Sequence, residues 1–195
     1  MGTDMYARRT RLPALGFTIT ELMITVCVVA ILAGWGVPNL LQYTRQIRQT
    51  SAVNNFIGVL TQARSEAITR NETILVCPVV NQSTTCEAAN TSDWGSGALI
   101  RTDSGGEIIR VFDNLAGGGD LSLSSNAQGG FAKPGRVYFA ANGSARRSLS
   151  RGDTRIFFLI CASTLKKRWV TLDRGGSIKA QKVAPDGSEA DVGCS

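Results

Sequence analysis

From Phe17 to Val37 the chain is almost uniformly apolar, and Glu21 is the only charged residue in that run. At about 1.5 Å per residue such a run makes roughly 30 Å of helix, the thickness of a bilayer core. Beyond it the pattern becomes amphipathic. Val53, Phe56, Ile57, Leu60, Ala63 and Ala67 recur at spacings of three and four, and Gln49, Asn55, Gln62 and Arg64 read as the opposite, polar face. The two patterns predict one helix over 17–70, with a membrane half (17–37) and an amphipathic half (38–70) that seats a globular domain. Pro38 lacks an amide donor and crowds the preceding turn, so with Gly34 and Gly36 beside it a kink or local melting is expected there.

After Asn71 the period changes. Short β-branched and aromatic runs alternate with Gly, Asn, Asp and Ser clusters. The predicted strands are Thr73–Val80, Ala98–Arg101, Glu107–Phe112, Leu121–Ser124, Arg136–Ala140, Arg155–Cys161, Trp169–Leu172 and Ser177–Lys182. Ala141-Asn142-Gly143 and Arg174-Gly175-Gly176 are turn signals. The 117–130 stretch reads as a polar, Gly/Ser-rich loop. The fold class is α+β: a long N-terminal helix packed on antiparallel sheets.

Composition narrows the chemistry. The chain has 195 residues, of which 43% are hydrophobic and only 5 are proline, enough for one ordinary folded domain beyond the apolar run. Histidine is absent, which removes the commonest general base and metal ligand. Gly117-Gly118-Gly119 is not followed by the Gly-Lys-Ser/Thr of a phosphate loop. We therefore expect no enzyme, no cofactor and no metal. Of the cysteines, Cys27 lies inside the apolar run; Cys77, Cys86, Cys161 and Cys194 follow it without the tight spacing of a zinc site. Arg8, Arg9 and Arg11 precede the run, so the positive-inside rule puts the other four on the oxidising side. Four cysteines permit three pairings. Cys77–Cys86, closing a short polar loop, and Cys161–Cys194, pinning the C-terminal segment, are the expected two.

The N-terminal order carries more. An ordinary secretory signal is cut after its apolar run; here the basic segment meets Gly16 first, and the run begins at Phe17. A lone acid inside such a run is costly in lipid and marks a function. Gly16-Phe17-Thr18-Ile19-Thr20-Glu21 resembles the class III signal of type IV pilins and type II secretion pseudopilins. That resemblance implies a leader, 1–16, removed by a prepilin peptidase between Gly16 and Phe17, with methylation of the new N-terminus. It implies that Glu21 neutralises the N-terminal amine of a neighbouring subunit, and that Pro38 is the helix-loosening proline of these proteins. Further along, Cys77-Pro78, Cys86, Trp94-Gly95-Ser96-Gly97, Val137-Tyr138-Phe139-Ala140-Ala141-Asn142-Gly143 and the strand ending at Cys161 resemble the GspH/FimT branch, which includes FimU. The branch implies a pilin-like fold with a β-rich periplasmic or extracellular domain, 71–195. It implies a subunit of a pilus or pilus-like fibre, at or near the tip. Its partners are then other pilins or pseudopilins, the peptidase, the inner membrane and its assembly platform. A GspH-type pseudopilin of type II secretion is the alternative within the fold, and an anchored domain with no fibre role is the bland one.

Charge adds a third alternative. The whole chain carries +6, yet from Lys133 to Lys182 twelve Lys and Arg face only Asp153 and Asp173. A one-sided basic region is the footprint expected for a polyanion such as DNA. Arg146, Arg147, Lys166, Lys167, Arg168, Arg174 and Lys179 are the candidate contacts, in turns that project together. DNA-binding members of the FimT kind carry a C-terminal Gly-Arg-x-Arg turn; the matching Gly176-Ser177-Ile178-Lys179 has Ser and Lys in place of the two arginines. Serine brings no charge and lysine no bidentate fork, with Arg174 close enough to compensate in part.

Overall fold

The computed structural model describes residues 17–80, 83–88, 91, 93–118, 121–125, 135–145, 155–162 and 165–182, with the side chains of 35–39 excepted. The leader with Gly16, Arg146, Arg147, Cys194 and the side chain of Pro38 lie outside this description.

Helix α1 spans Ile19–Arg70. Thr18 caps its start: the Thr18 hydroxyl accepts from the Glu21 amide at 3.2 Å. At the other end Asn71 takes a left-handed φ of 53°. The Glu72 amide then reaches back to the Ala67 carbonyl at 3.3 Å, which absorbs one of the last unpaired acceptors. Arg70, in the last turn, bonds Glu66 at 2.9 Å and Glu107 at 3.3 Å. Those two bonds, Glu66 foremost, raise its pKa. The backbone stays helical through position 38, so the local melting expected there does not occur: a proline removes one donor but leaves the flanking turns bonded.

The chain divides into two compact units, 1–42 and 43–195. In the first, the side chains of α1 up to Gly34 are exposed on all sides, Phe17, Ile19, Leu22, Met23, Ile24, Val26, Ile31 and Leu32 among them. Among the described residues no helix is long and apolar enough to cross a membrane; described side chains of the apolar run stop at Gly34.

The second unit holds the rest of α1 and two antiparallel sheets. The strands are β1 (Ile74–Pro78), β2 (Gly97–Thr102), β3 (Ile108–Asp113), β4 (Leu121–Ser125), β5 (Val137–Phe139), β6 (Arg155–Ala162), β7 (Arg168–Asp173) and β8 (Ile178–Gln181). Sheet 1 runs β3-β2-β1-β5 and sheet 2 runs β4-β6-β7-β8. An isolated bridge between Asp93 and Ser124 links β4 to the approach of β2. All eight predicted strands are present within two residues of their expected ends, because each sits between turn residues that fix its limits.

One core joins these layers. Ala52, Val53, Phe56, Leu60, Ala63 and Ala67 of α1 pack on Ile74, Val76, Ile100 and Phe139 of sheet 1 and on Leu123, Phe158, Ile160, Val170 and Leu172 of sheet 2. At its centre Phe56, Trp94 and Phe158 meet edge to face, with ring centroids 4.7–5.6 Å apart. Leu75, Cys77, Val79 and Leu99 form a smaller cluster on the other face of sheet 1, with Tyr138 and Cys86 against it. Cys77 and Cys86 are joined as expected. Cys161 is also disulfide-bonded.

The polar-face assignment fails at Gln49. This residue is 3% exposed, and its side-chain amide donates to the Lys166 carbonyl at 2.9 Å and the Ile160 carbonyl at 3.4 Å. Position 49 is seven residues before Phe56, so it falls on the buried stripe. A buried amide is tolerated there because two carbonyls take its protons.

Candidate functional site

Two regions carry the residues singled out from the sequence. The first is the start of α1. Phe17 is 79% exposed, and Glu21 is exposed one turn later. Glu21 has a local role that the spacing Thr18-x-x-Glu21 already encodes. It occupies the third helical position, where its amide is capped by Thr18 and its carboxylate lies near the positive end of the helix dipole.

The second is the basic surface of sheet 2. Lys166 and Lys167 precede β7 and Arg168 opens it, while Arg174 lies in the β7–β8 turn at its far end. The 6 residues of β7 separate Lys167 from Arg174, on the order of 20 Å. Lys179 stands opposite Thr171 on β8, the edge strand, and is exposed. The described basic residues are therefore spread along β7: a first group, Lys166–Arg168, at its start, Lys179 opposite its middle at Thr171, and Arg174 past its far end. Gln49 holds the backbone of the first group through its bond to the Lys166 carbonyl. Arg155 on β6 is drawn to Asp173, with Nε and Oδ1 3.1 Å apart, though Asp173 Oδ1 makes no well-aligned hydrogen bond. This ion pair offsets part of the charge at the second end.

The β7–β8 turn is held from outside. Gly176 donates to the Asp173 carbonyl at 2.8 Å, and Asp173 to the Ser177 carbonyl at 2.9 Å. A parallel turn after β5 closes through Gly143, whose amide donates to Ala140 at 2.7 Å. The two turns are stitched by the Ala145 amide bonding the Arg174 carbonyl at 3.0 Å. Gly176 has φ +81° and Gly143 φ +76°. A side chain on Gly176 would run into the Gly143 carbonyl oxygen, so the stack demands glycine there.

Arg64 of α1 lies against both turns, its Nε 3.0 Å from where a Cβ on Gly143 would sit and 3.1 Å from that of Gly176. It adds a helix-borne cation to the Arg174 end. The helical pattern assigns Arg64 only to a solvated face, and no signal in the sequence ties it to turns about 80 and 110 residues later. Among the described residues no group of three or more Cys, Asp and Glu gathers where a metal could be held.

A family model described as "Type II transport protein GspH" matches residues 52–176. That span takes in α1 from Ala52 onward and strands β1 to β7. Two proteins of Pseudomonas aeruginosa, each described as "Fimbrial protein", are 30% identical over 122 residues, covering 63% of this chain and 75% of theirs. The crystal structure of the type IV minor pilin FimU of Pseudomonas aeruginosa superposes with a TM-score of 0.53 at 22% identity, over 71% of this chain and 92% of that one. The long helix seated on two antiparallel sheets is thus the fold of a type IV minor pilin, and the chain belongs to the GspH family.

Proposed function

We propose that this chain is a minor pilin. It is anchored in the inner membrane by the first half of α1, loses its leader after Gly16 to the prepilin peptidase, and enters a type IV pilus or similar fibre at or near the tip. Its β-rich domain then faces outward. The observation that carries this reading is the exposure of large apolar side chains all round α1 from Phe17 to Leu32. A helix apolar on every side suits lipid first and the helices of neighbouring subunits afterwards. Glu21, the one charge in that stretch, then pairs with the methylated amine of a neighbour's Phe17. The fibre is favoured over a secretion pseudopilus by the fimbrial relatives and the FimU fold, while the family description keeps type II secretion as the competing assembly. A second disulfide, Cys161–Cys194, belongs to the same reading; that Cys161 is bonded while Cys77 and Cys86 pair with each other supports it. Glu21→Ala tests the reading: the variant should remain in the inner membrane yet be depleted from sheared fibres. Mass spectrometry of the native protein should show a chain beginning at N-methylated Phe17. Undiminished incorporation, or a mature chain that keeps Arg8 to Arg11, overturns the proposal.

A second reading, a DNA-capturing minor pilin, draws support from the basic imbalance of sheet 2 and from Arg64 beside the Arg174 turn. Contact would be with phosphates, since no helix among the described residues is built to read a groove. Duplex affinity should then fall with salt at a log–log slope of roughly −0.9 per phosphate neutralised, and absence of binding even near 50 mM salt leaves the assembly reading alone. Replacing Arg174 and Lys179 by Ala tests the β7–β8 hairpin; replacing Lys166, Lys167 and Arg168 tests the start of β7.

A further inference from the structure

Sheet 1 carries α1 on one face. On the other, beside the smaller apolar cluster, lies a cavity of about 240 Å³. Its floor is Leu75 of β1 and Tyr138 of β5, and the disulfide loop contributes Thr85 and Cys86 as one wall. The remaining lining is charged: Arg101, Asp103 and Arg136. The register explains the convergence. Arg101 stands opposite Leu75, and Leu75 opposite Tyr138, so one row crosses three strands. Arg136 lies two residues before Tyr138 and shares its face.

Both arginines have an unmet donor. The Nε atoms of Arg101 and Arg136 are fully buried and make no hydrogen bond. Buried donors without acceptors are rare and costly, and both side chains that carry them line the cavity. Gly106 keeps Arg101 close: a Cβ there would lie 2.9 Å from Arg101 Nη2, and its φ of +68° suits glycine alone.

We propose that this cavity receives a single carboxylate carried on a short apolar stem. Among the described lining residues two guanidinium groups stand with one carboxylate, Asp103, a balance that matches a monoanion rather than a phosphate dianion. Arginine presents planar paired donors that fit a carboxylate, and Leu75 with Tyr138 gives the stem an apolar bed. The volume falls below the roughly 300–1,000 Å³ of ordinary small-molecule sites. It suits a group the size of one side chain. An acidic side chain of a partner protein and a small free acid share this chemistry.

The test is a titration of the ¹⁵N-labelled full chain in detergent micelles, read at the arginine Nε–H resonances. Propionate and a blocked Ala-Glu-Ala peptide are the probes, with chloride at matched ionic strength as control. Saturable shifts of the Arg101 and Arg136 signals with the carboxylates, at least about tenfold stronger than with chloride, are expected. Arg136→Lys keeps the charge but lacks Nε–H, and should abolish the saturable shift at Arg101. Tighter binding of the peptide identifies a protein side chain as the source; equal or weaker binding identifies a free acid. Shifts that do not saturate, or that chloride reproduces, overturn the site. The wild-type titration decides the matter alone if the lysine variant does not fold.

Discussion

The two halves of α1 are built from similar apolar residues and meet different surroundings. Ile19 is 82% exposed, whereas Phe56 is fully buried in the main core. In the second half the apolar residues are gathered on one stripe, and two sheets cover it. In the first half they surround the axis, and no single face exists for a domain to cover. The comparison teaches that apolar content alone does not seat a helix; its angular distribution does. A helix of this kind has one half that stabilises the subunit and one half left for an environment outside the chain.

Mutations should separate the halves sharply. Phe56→Ala removes a ring that touches Trp94 and Phe158, and is expected to cost about 3–5 kcal/mol in chemical unfolding. Leu22→Ala in the first half should leave the same unfolding curve unmoved; a matching loss there would break the contrast. A smaller effect is expected outside the helix. Removing the Cys77–Cys86 bridge with paired serines should cost about 2–3 kcal/mol, given the short loop it closes. Denaturant midpoints of the unaltered chain and the paired-serine variant, both without reductant, measure it, and equal midpoints would refute it. Smallest is Gln49→Leu, which keeps the bulk of the side chain but strips the Ile160 and Lys166 carbonyls of their donor. We expect a loss of about 1–2 kcal/mol and faster amide exchange around Lys166. If exchange there is unaltered, the helix does not hold that loop.

Much of this architecture was legible because local rules agree with it. The stripe from Val53 to Ala67 and the turn residues around each strand are short-range signals, and they located the helix and all eight strands. What was lost is long-range. Nothing local says that β5 joins β1 across some sixty residues, or that β4 leaves its neighbours in sequence for the sheet of β6. Gln49 was misread because polarity was taken to mean solvent, when its place in the heptad put it inside. Residues a few positions apart look clustered in sequence, but an extended strand such as β7 carries them to opposite ends. Arg64, Arg101 and Arg136 were not singled out at all as a group, since their meeting places exist only once helix, sheets and disulfide loop are in register.

The stitched turns at Gly143 and Gly176 have a consequence for how this chain can vary in length. One extra residue in either turn would displace the Ala145–Arg174 bond and drive backbone into backbone. Gly117 is exposed, with nothing within 4 Å of where a side chain would begin. Insertions, epitope tags and natural drift in loop length should therefore accumulate near Gly117, while the paired turns keep a fixed residue count.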